Sequence, residues 1–486
     1  MEIATPEILE APAYWHARWL LERGLALIYL VAFVAILDQW RPLLGERGLM
    51  PVPELLSATH RRPVSLFRFG YSDRLATTLA WIGIVLAALV LAGVPQAGPW
   101  WLTTSTWLVL WVLYLSFVEV GRIWYAFGWE TLLLEAGVLV AFLGPAEAAP
   151  PWLTLLLVRW LLFRVEFGAG LIKLRGDACW RKLTCLDHHH ETQPLPGPLS
   201  RRFHHLPRPL HRMEVAGNHV AQLLVPFGLF LPQPIAGICG LVIVATQGWL
   251  LLSGNFAWLN LLTLVLAAAA FSDGWFTWSP LSVPEPLAST PSGLLLVTIG
   301  LAIVVVVLSL RGPVPNLLSR RQRMNASHDP LRLVNSYGAF GSVTRVRHEL
   351  EIESTRAPDP GADGATWLAY RFRAKPGDPT RRPRQIAPYH LRLDWLMWFA
   401  AMDPVPTRNL WFTRLLDHLL RADPQLLRLL SHDPNEGSPP TAVRVVRYRY
   451  RFASRRERRE TGAIWLRDQR QVVVHPAIRA SPPSDR

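Results

Sequence analysis

The sequence predicts a polytopic α-helical membrane protein with about nine membrane helices and a C-terminal soluble, strand-rich α+β domain. Three observations carry this reading. Apolar runs near spanning length recur through the first 310 residues. Tryptophans cluster at the ends of those runs (Trp100, Trp101, Trp129, Trp152, Trp249, Trp275, Trp278), where interfacial aromatic belts sit. After Arg311 the hydrophobic period changes to two, the period of strands.

The runs fall at 20–37, 75–93, 101–118, 129–143, 152–172, 217–231, 235–252, 256–271 and 293–310. The fourth, sixth and eighth are short for a straight span and suit tilted or re-entrant elements. The first follows a charged, Trp-bearing start without a small-residue cleavage site, so it reads as a retained helix. Residues 1–312 form the predicted membrane domain, with a polar loop at 173–215. Arg311-Gly-Pro-Val-Pro315 closes the last span.

A soluble domain is predicted over 325–478. Val346, His348, Leu350 and Ile352 alternate with Arg345, Arg347, Glu349 and Glu351. Leu368, Tyr370 and Phe372 alternate with arginines, as do Val446, Tyr448, Tyr450 and Phe452. These spacings predict half-buried antiparallel strands. Tyr389–Met402 and Asn409–Leu420 have helical spacing, and 479–486 reads as a disordered tail.

The chain has 486 residues, half of them apolar, and its formal net charge is +14. That charge does not imply a nucleic-acid partner, because the arginines are scattered among membrane runs. Basic loops instead set orientation or meet anionic headgroups. The loops 38–74 and 173–215 and the C-terminal domain carry the arginine, while the opposite linkers 94–99, 144–151, 232–234 and 272–291 carry no Lys or Arg. The positive-inside rule puts the basic side in the cytoplasm.

Lysine occurs only at 173, 182 and 375, and the first two lie in the segment that opens the polar loop. Arg does not readily lose its proton, whereas a buried Lys does. Lys173 is therefore either an amine required at that place or a cation snorkelling from a helix end. Glu166 lies two helical turns earlier and shares its face. Ionisable residues within spans (Glu119, Arg122, Glu130, Glu135, Arg159, Arg164, Glu166) form either an internal ion-pair network or a substrate cavity.

Cys179 and Cys185 lie in the loop, separated by five residues. Structural disulfide, free thiols and redox chemistry are all open. A bridge requires a turn between the two, since one continuous helix would point them apart. Cys239 reads as packing. The His188-His189-His190 triplet, taken as extended chain, points its rings in opposite directions and does not chelate one ion. A loop in which Asp187 and Glu191 accept from Arg175 or Arg181 fits better. No metal or cofactor is expected.

Several runs resemble the lipase maturation factor family. They are Phe167-Gly-Ala-Gly-Leu-Ile-Lys-Leu-Arg-Gly-Asp177, Cys179-Trp180, Leu183-Thr-Cys-Leu-Asp187 and Glu191-Thr-Gln-Pro194 in the membrane half. His204-His205, Glu214, Asn218-His219, Gly254-Asn255 and Leu259-Asn260 through Thr263 also match. In the C-terminal half the matches are Val334-Asn-Ser-Tyr-Gly-Ala-Phe-Gly341, Lys375-Pro-Gly-Asp-Pro379, Arg381-Arg-Pro383 and Pro388-Tyr-His390 with Arg392-Leu-Asp-Trp-Leu-Met-Trp-Phe-Ala-Ala401. The likeness covers nearly the whole chain. It implies a multi-pass membrane protein, chaperone-like, that helps secreted lipases or other exported proteins fold or assemble. Relatives in animals reside in the endoplasmic reticulum membrane; a bacterial member would lie in the cell membrane. The loop and C-terminal domain are then expected to be extracytoplasmic, against the charge rule, and an oxidising side suits paired loop cysteines. His188 and His190 depart from the aromatics that relatives more often carry there.

The resemblance marks Arg175, Asp177, Cys179, Trp180, Cys185, Asp187, His189, Glu191 and Gln193 as functional-loop residues. In the C-terminal domain Trp395, Trp398 and Phe399 are either strand-packing core or an apolar surface for exposed client segments, and Tyr389, His390, Asp394, Trp395 and Trp398 are the candidates for that surface. The expected partners are client proteins such as secreted lipases, and the bilayer. Ala169-Gly-Leu-Ile-Lys-Leu174 also resembles, more weakly, a motif of vitamin K-dependent carboxylase-like membrane domains. The rival reading is a membrane enzyme with Lys173 as catalytic base, assisted by Glu166, on a lipophilic cofactor or substrate. A deep apolar cavity reaching Lys173 would favour the enzyme, and solid helix packing with an apolar C-terminal patch would favour the chaperone.

Overall fold

The computed structural model describes residues 9–58 and 63–478; the predicted tail at 479–486 lies outside them. Five helices among the described residues are long and apolar enough to cross a membrane. They are α1 (Trp15–Leu44, continuous with a short turn from Pro12), α2 (Asp73–Ala92), α3 (Trp100–Val120), α7 (Ile235–Ser253) and α9 (Ser292–Arg311). Of the remaining apolar runs, three are α4 (Gly128–Val140), α5 (Trp152–Arg175) and α8 (Leu259–Ala267). The run at 217–231 is corrected: α6 (Arg208–Leu223) begins inside the predicted polar loop, and a 3-10 turn covers Val225–Phe230, where Pro226 cannot continue the α-helix.

Position follows composition. Helices α2, α7 and α9 expose large apolar side chains such as Trp81, Val85, Leu241, Leu296 and Ile303, as helices facing hydrocarbon do. Every residue of α4 is buried, so it is the central post. Helix α5 buries Arg159, Arg164, Glu166 and Lys173 in its middle and end. A helix carrying those groups avoids lipid and packs where protein partners satisfy them.

Two glycines of α5 set close approaches. A Cβ on Gly168 would sit 2.4 Å from the Tyr337 carbonyl oxygen, so only glycine admits the chain of the C-terminal half there. A Cβ on Gly170 would sit within 3.0 Å of Gln222 and Leu223, so that glycine lets α6 lie against α5.

The C-terminal half has a four-stranded antiparallel sheet of β1 (Arg347–Thr355), β2 (Leu368–Ala369), β3 (Ala442–Phe452) and β4 (Trp465–Ile478), in the order β2-β1-β3-β4. Helices α10 (Arg392–Met402) and α11 (Leu410–Leu420) pack on it. Strand β3 alternates buried Val446, Tyr448, Tyr450 and Phe452 with half-buried arginines, matching its pattern. Strand β1 does not. Its charged face is buried as well: Arg347 donates to Glu349 at 2.8 Å, Lys375 lies 2.9 Å from Glu349, and Arg467 donates to Glu351 at 2.8 Å. The expectation of a half-buried strand fails because each charge brings its own partner inside.

The two halves share one hydrophobic core, which runs from Leu21 on α1 to Met397, Phe412 and Val443. Their junction is polar and buried. Glu135 on α4 accepts from the Asn335 N–H and side chain, both at 3.0 Å, and from the Tyr337 hydroxyl at 2.7 Å, and it pairs with Arg164. Glu130, one turn before it, accepts from Arg392 at 2.6 Å, and Arg392 also donates to the Trp124 carbonyl. Glu119 meets Arg332 of the C-terminal half. Among the described residues Arg159 pairs with no carboxylate; it donates to the Ala269 and Leu229 carbonyls.

Arg392→Met leaves Glu130 buried without its cation. It should cost about 3–5 kcal/mol, read as a lower thermal midpoint of the full-length protein in detergent. An unchanged midpoint would remove the pair from the account.

Candidate functional site

A cavity of about 1150 Å³ lies between α5, α6, α7, α8, the loop at 186–194, the segment at 337–344 and α10. Its walls are mostly apolar and aromatic, and its polar groups gather at Lys173. The Lys173 ammonium donates to Asn218 Oδ1 at 2.9 Å and to Gln222 Oε1 at 2.7 Å, with the Trp180 ring 5.1 Å away. Gln222 in turn donates to Glu166 at 3.1 Å. Gln247 donates to the other Glu166 oxygen at 2.6 Å and accepts from Asn260 at 2.8 Å. Lys173 and Glu166 are thus joined through a carboxamide rather than in direct contact. Both partners of Lys173 accept, so its nitrogen serves as a donor.

Gly170 explains this arrangement. By admitting α6, it brings Asn218 and Gln222, one helical turn apart, over Lys173. Gln222 and Gln247 escape sequence reasoning because a glutamine on an apolar helix has no spacing signature. The weak signal is an amide within an apolar run: Gln247 stands alone in its run, and Gln222 follows Asn218 by one turn.

The loop is built as a set of short helices. Asp177 caps the turn Ala178–Arg181 by accepting the Cys179 N–H at 2.9 Å, and it accepts from Arg345 at 2.8 Å. The Cys179 N–H and then Arg345 hold its carboxyl below the usual range. The chain turns at Leu183, whose φ is 57°, and brings Cys185 to 4.8 Å from Cys179 between Cα atoms, where the two form a disulfide. The bridge is buried with Trp180, Leu186, Val215 and Val343.

Two loop expectations are corrected. The histidine triplet lies on a helix, Leu186–Thr192, not on extended chain, so His189 and His190 both turn inward and are buried. Arg175 donates to Gln322 and the Leu317 carbonyl, and Arg181 to the Leu174 and Gly176 carbonyls; neither reaches Asp187 or Glu191. Asp187 instead meets His211 at 3.2 Å, and Glu191 accepts the Phe452 N–H at 2.8 Å. The arginines sit beside free helix-end carbonyls, which outcompete distant carboxylates.

Among the C-terminal candidates, Trp395 and Trp398 line the cavity, and the Trp398 indole donates to the Thr192 carbonyl at 3.0 Å. The others stand in the junction. Tyr389 donates to Asp38 at 2.8 Å, Gln39 donates to the His390 carbonyl at 2.7 Å, and Asp394 accepts the Ala374 and Lys375 N–H groups at 2.6 and 2.9 Å. His390, Asp394 and Trp395 are buried, so these residues do not make an exposed apolar patch. Glu166, Lys173, Trp180, His189, Gln193, Trp395 and Trp398 share the cavity, whereas Arg175, Asp177, Cys179, Cys185, Asp187 and Glu191 hold the loop around it. The cavity reaches Lys173 and is also walled by the C-terminal tryptophans, so it does not by itself separate enzyme from chaperone.

Replacing Lys173 by Met leaves the buried Gln222 oxygen and the half-buried Asn218 oxygen unpaired, at about 1–3 kcal/mol for the buried one. Lys173→Arg should not restore the wild-type midpoint, because a planar fork does not fit the two acceptors as a point ammonium does. Wild-type melting of both variants would return Lys173 to a snorkelling role. A pH dependence follows from the histidines. Burial lowers His189 and His204 from 6.5 to about 4; His204 lies 3.4 Å from Glu191. The unfolded loop binds these protons first, so the contribution to stability is full above about pH 6.5 and is lost as pH falls through about 4. Hydrogen exchange across 178–220 should quicken between neutral pH and pH 5, after correction for the intrinsic rate. No such quickening would contradict the burial.

Residues 16–278 match the lipase maturation factor transmembrane domain, and residues 333–475 match the lipase maturation factor C-terminal domain. The chain is 41% identical to lipase maturation factor 1 of Bos taurus over 515 residues, covering 98% of this chain and 91% of that one. It is 38% identical to lipase maturation factor 1 of Homo sapiens, covering 98% and 90%. With lipase maturation factor 2 of Homo sapiens the identity is 29%, covering 96% and 83%. No solved structure matches the chain significantly. The two domain matches, the relatives and the five apolar helices agree: this chain is a membrane protein that belongs to the lipase maturation factor family.

Proposed function

We propose that this chain acts as a chaperone-like maturation factor at a membrane, assisting the folding or assembly of secreted lipases or other exported proteins. The names of its relatives supply the client class. The observation that carries the reading is the match of both domains to lipase maturation factors, and the cavity is where the two halves meet. Its wall takes Lys173 and Trp180 from the membrane half and Trp395 and Trp398 from the C-terminal half, so neither half holds the site alone. Trp395 and Trp398 act from the cavity wall, with the exposed Phe399 and Met402 beside them. Tyr389, His390 and Asp394 serve by holding α10 in place.

The finer architecture belongs to the same proposal. Helices α4, α5, α6 and α8 join the five long helices in the membrane part, 1–312, which makes about nine. Residues 325–478 form the C-terminal unit docked on it. The loop at 173–215 and the C-terminal unit lie on the extracytoplasmic side, where an oxidising compartment suits the Cys179–Cys185 bridge. The membrane is the cell membrane in a bacterium and that of the endoplasmic reticulum in a eukaryote. Partners are the bilayer and client proteins, not nucleic acid.

Two measurements test this. Secretion of active lipase is compared in cells carrying the full-length protein, a chain ending near residue 325, or none. The truncated chain should still insert, because transmembrane helices satisfy their own backbone, yet it should yield no more active client than the empty control. Equal yields in all three would remove the maturation reading. A membrane-impermeant protease applied to the outer face of the membrane (the luminal face in opened microsomes) should cut the C-terminal unit; protection would reverse the orientation.

A further inference from the structure

The cavity carries polar groups that the protein leaves without partners. His190 is 1% exposed, and neither of its ring nitrogens has a hydrogen-bond partner among the described residues. Its nearest charged neighbour is Glu214, 4.0 Å away. Glu214 Oε2 and Asn260 Oδ1 are likewise buried without a donor, and all three residues line the cavity. Buried polar atoms cost free energy unless they are satisfied. Burial keeps the His190 imidazole well below its usual range, so it is neutral and offers one donor and one acceptor. Lys173 uses two of its three hydrogens on Asn218 and Gln222.

The charges that line the cavity are Glu166, Glu214 and Lys173, two carboxylates against one ammonium. An anionic head would add to the excess. A head that fits must both give and accept hydrogen bonds without bringing charge, and a hydroxyl does this. The rest of the wall is apolar, and at about 1150 Å³ the space exceeds the range usual for drug-sized ligands. Its rim carries the exposed apolar side chains Ile123, Val220, Trp249, Phe399 and Met402. Such a rim is matched by hydrocarbon rather than by water.

We propose that this cavity is a binding site for a neutral, hydroxyl-headed acyl lipid of the monoacylglycerol type. Its head lies against His190, Glu214, Asn260 and the free Lys173 hydrogen, and its chain runs along the aromatic wall to the rim. No bond is made or broken; the lipid is a bound ligand that fills the space. The inference does not depend on the identity of the client.

The site contains its own reporter. Trp129, Trp180, Trp249, Trp395 and Trp398 all line it. A monoacylglycerol brominated on its chain, added to the full-length protein in detergent, should quench tryptophan fluorescence saturably. Unbrominated monoolein should reverse the quenching, and oleate should compete about tenfold less well, the scale of one lost hydrogen bond to a buried group. Gly217 lines the cavity from an exposed position on α6, and a Cβ there meets nothing within 4 Å, so Gly217→Phe sets a ring in the cavity's open side without strain. That variant should melt as the wild type does and lose the saturable quenching. His190→Phe should keep its fold and weaken monoolein about tenfold. Saturable quenching that survives Gly217→Phe would overturn the site. Oleate competing as well as monoolein, or His190→Phe binding as the wild type does, would overturn the head assignment.

Discussion

The structure depends on two carboxylates buried on one helix. Glu130 and Glu135 stand on α4, all of whose residues are buried. A carboxylate in that interior needs a cation or several donors. Arg164 of the neighbouring helix reaches only Glu135. The Tyr114 hydroxyl of α3 donates to Glu130, and the other donors come from beyond residue 330: the Asn335 N–H and side chain, the Tyr337 hydroxyl and Arg392. Desolvation therefore requires that the C-terminal half be seated. This gives a physical reason for two of the family-like runs, Val334–Gly341 and Tyr389–Ala401. Each supplies a partner to a membrane carboxylate before it supplies anything to a site.

The cavity follows from that seating. With Asn335 and Tyr337 fixed on α4, the chain passes over Gly168 and delivers Phe340 to the Trp180 indole, which donates to its carbonyl at 2.7 Å. With Arg392 fixed on Glu130, α10 lies across the loop, and Trp398 reaches the Thr192 carbonyl. Arg347 then ties the loop to the sheet through the Glu191 and Pro194 carbonyls at 2.9 and 3.1 Å. The space left between these fixed walls is the cavity. The disulfide closes the turn that carries Trp180 and adds a local constraint of up to a few kcal/mol.

Much of this was legible in the chain. Apolar runs located every long helix, and the change to period two located β1, β2 and β3, because both signals are periodic and local, whereas β4 has no alternation and escaped the reading. The charged residues within spans announced an internal network, but not its partners, since Arg392 lies more than 250 residues from Glu130. The error at β1 has the same origin: alternation says which residues share a face, not whether a second layer covers the polar one. The histidine triplet was misread because a seven-residue helix is too short to show a period. The candidate site was half visible. Lys173 stood out by composition and the C-terminal tryptophans by resemblance, but only the fold places them around one space. Gln222, which joins Lys173 to Glu166, and Gln247, which holds the other Glu166 oxygen, carried only the weak signal of an amide in an apolar run.

The central claim is that the cavity between the two halves is where the protein works. The most direct measurement compares the yield of active client per unit of protein for two phenylalanine substitutions at open glycines. Gly217 lines the cavity. Gly300 lies on the exposed face of α9, also with nothing within 4 Å of an added Cβ. The account predicts that Gly217→Phe loses client maturation while Gly300→Phe keeps it, with both proteins inserted and melting alike. Full activity of Gly217→Phe would contradict it.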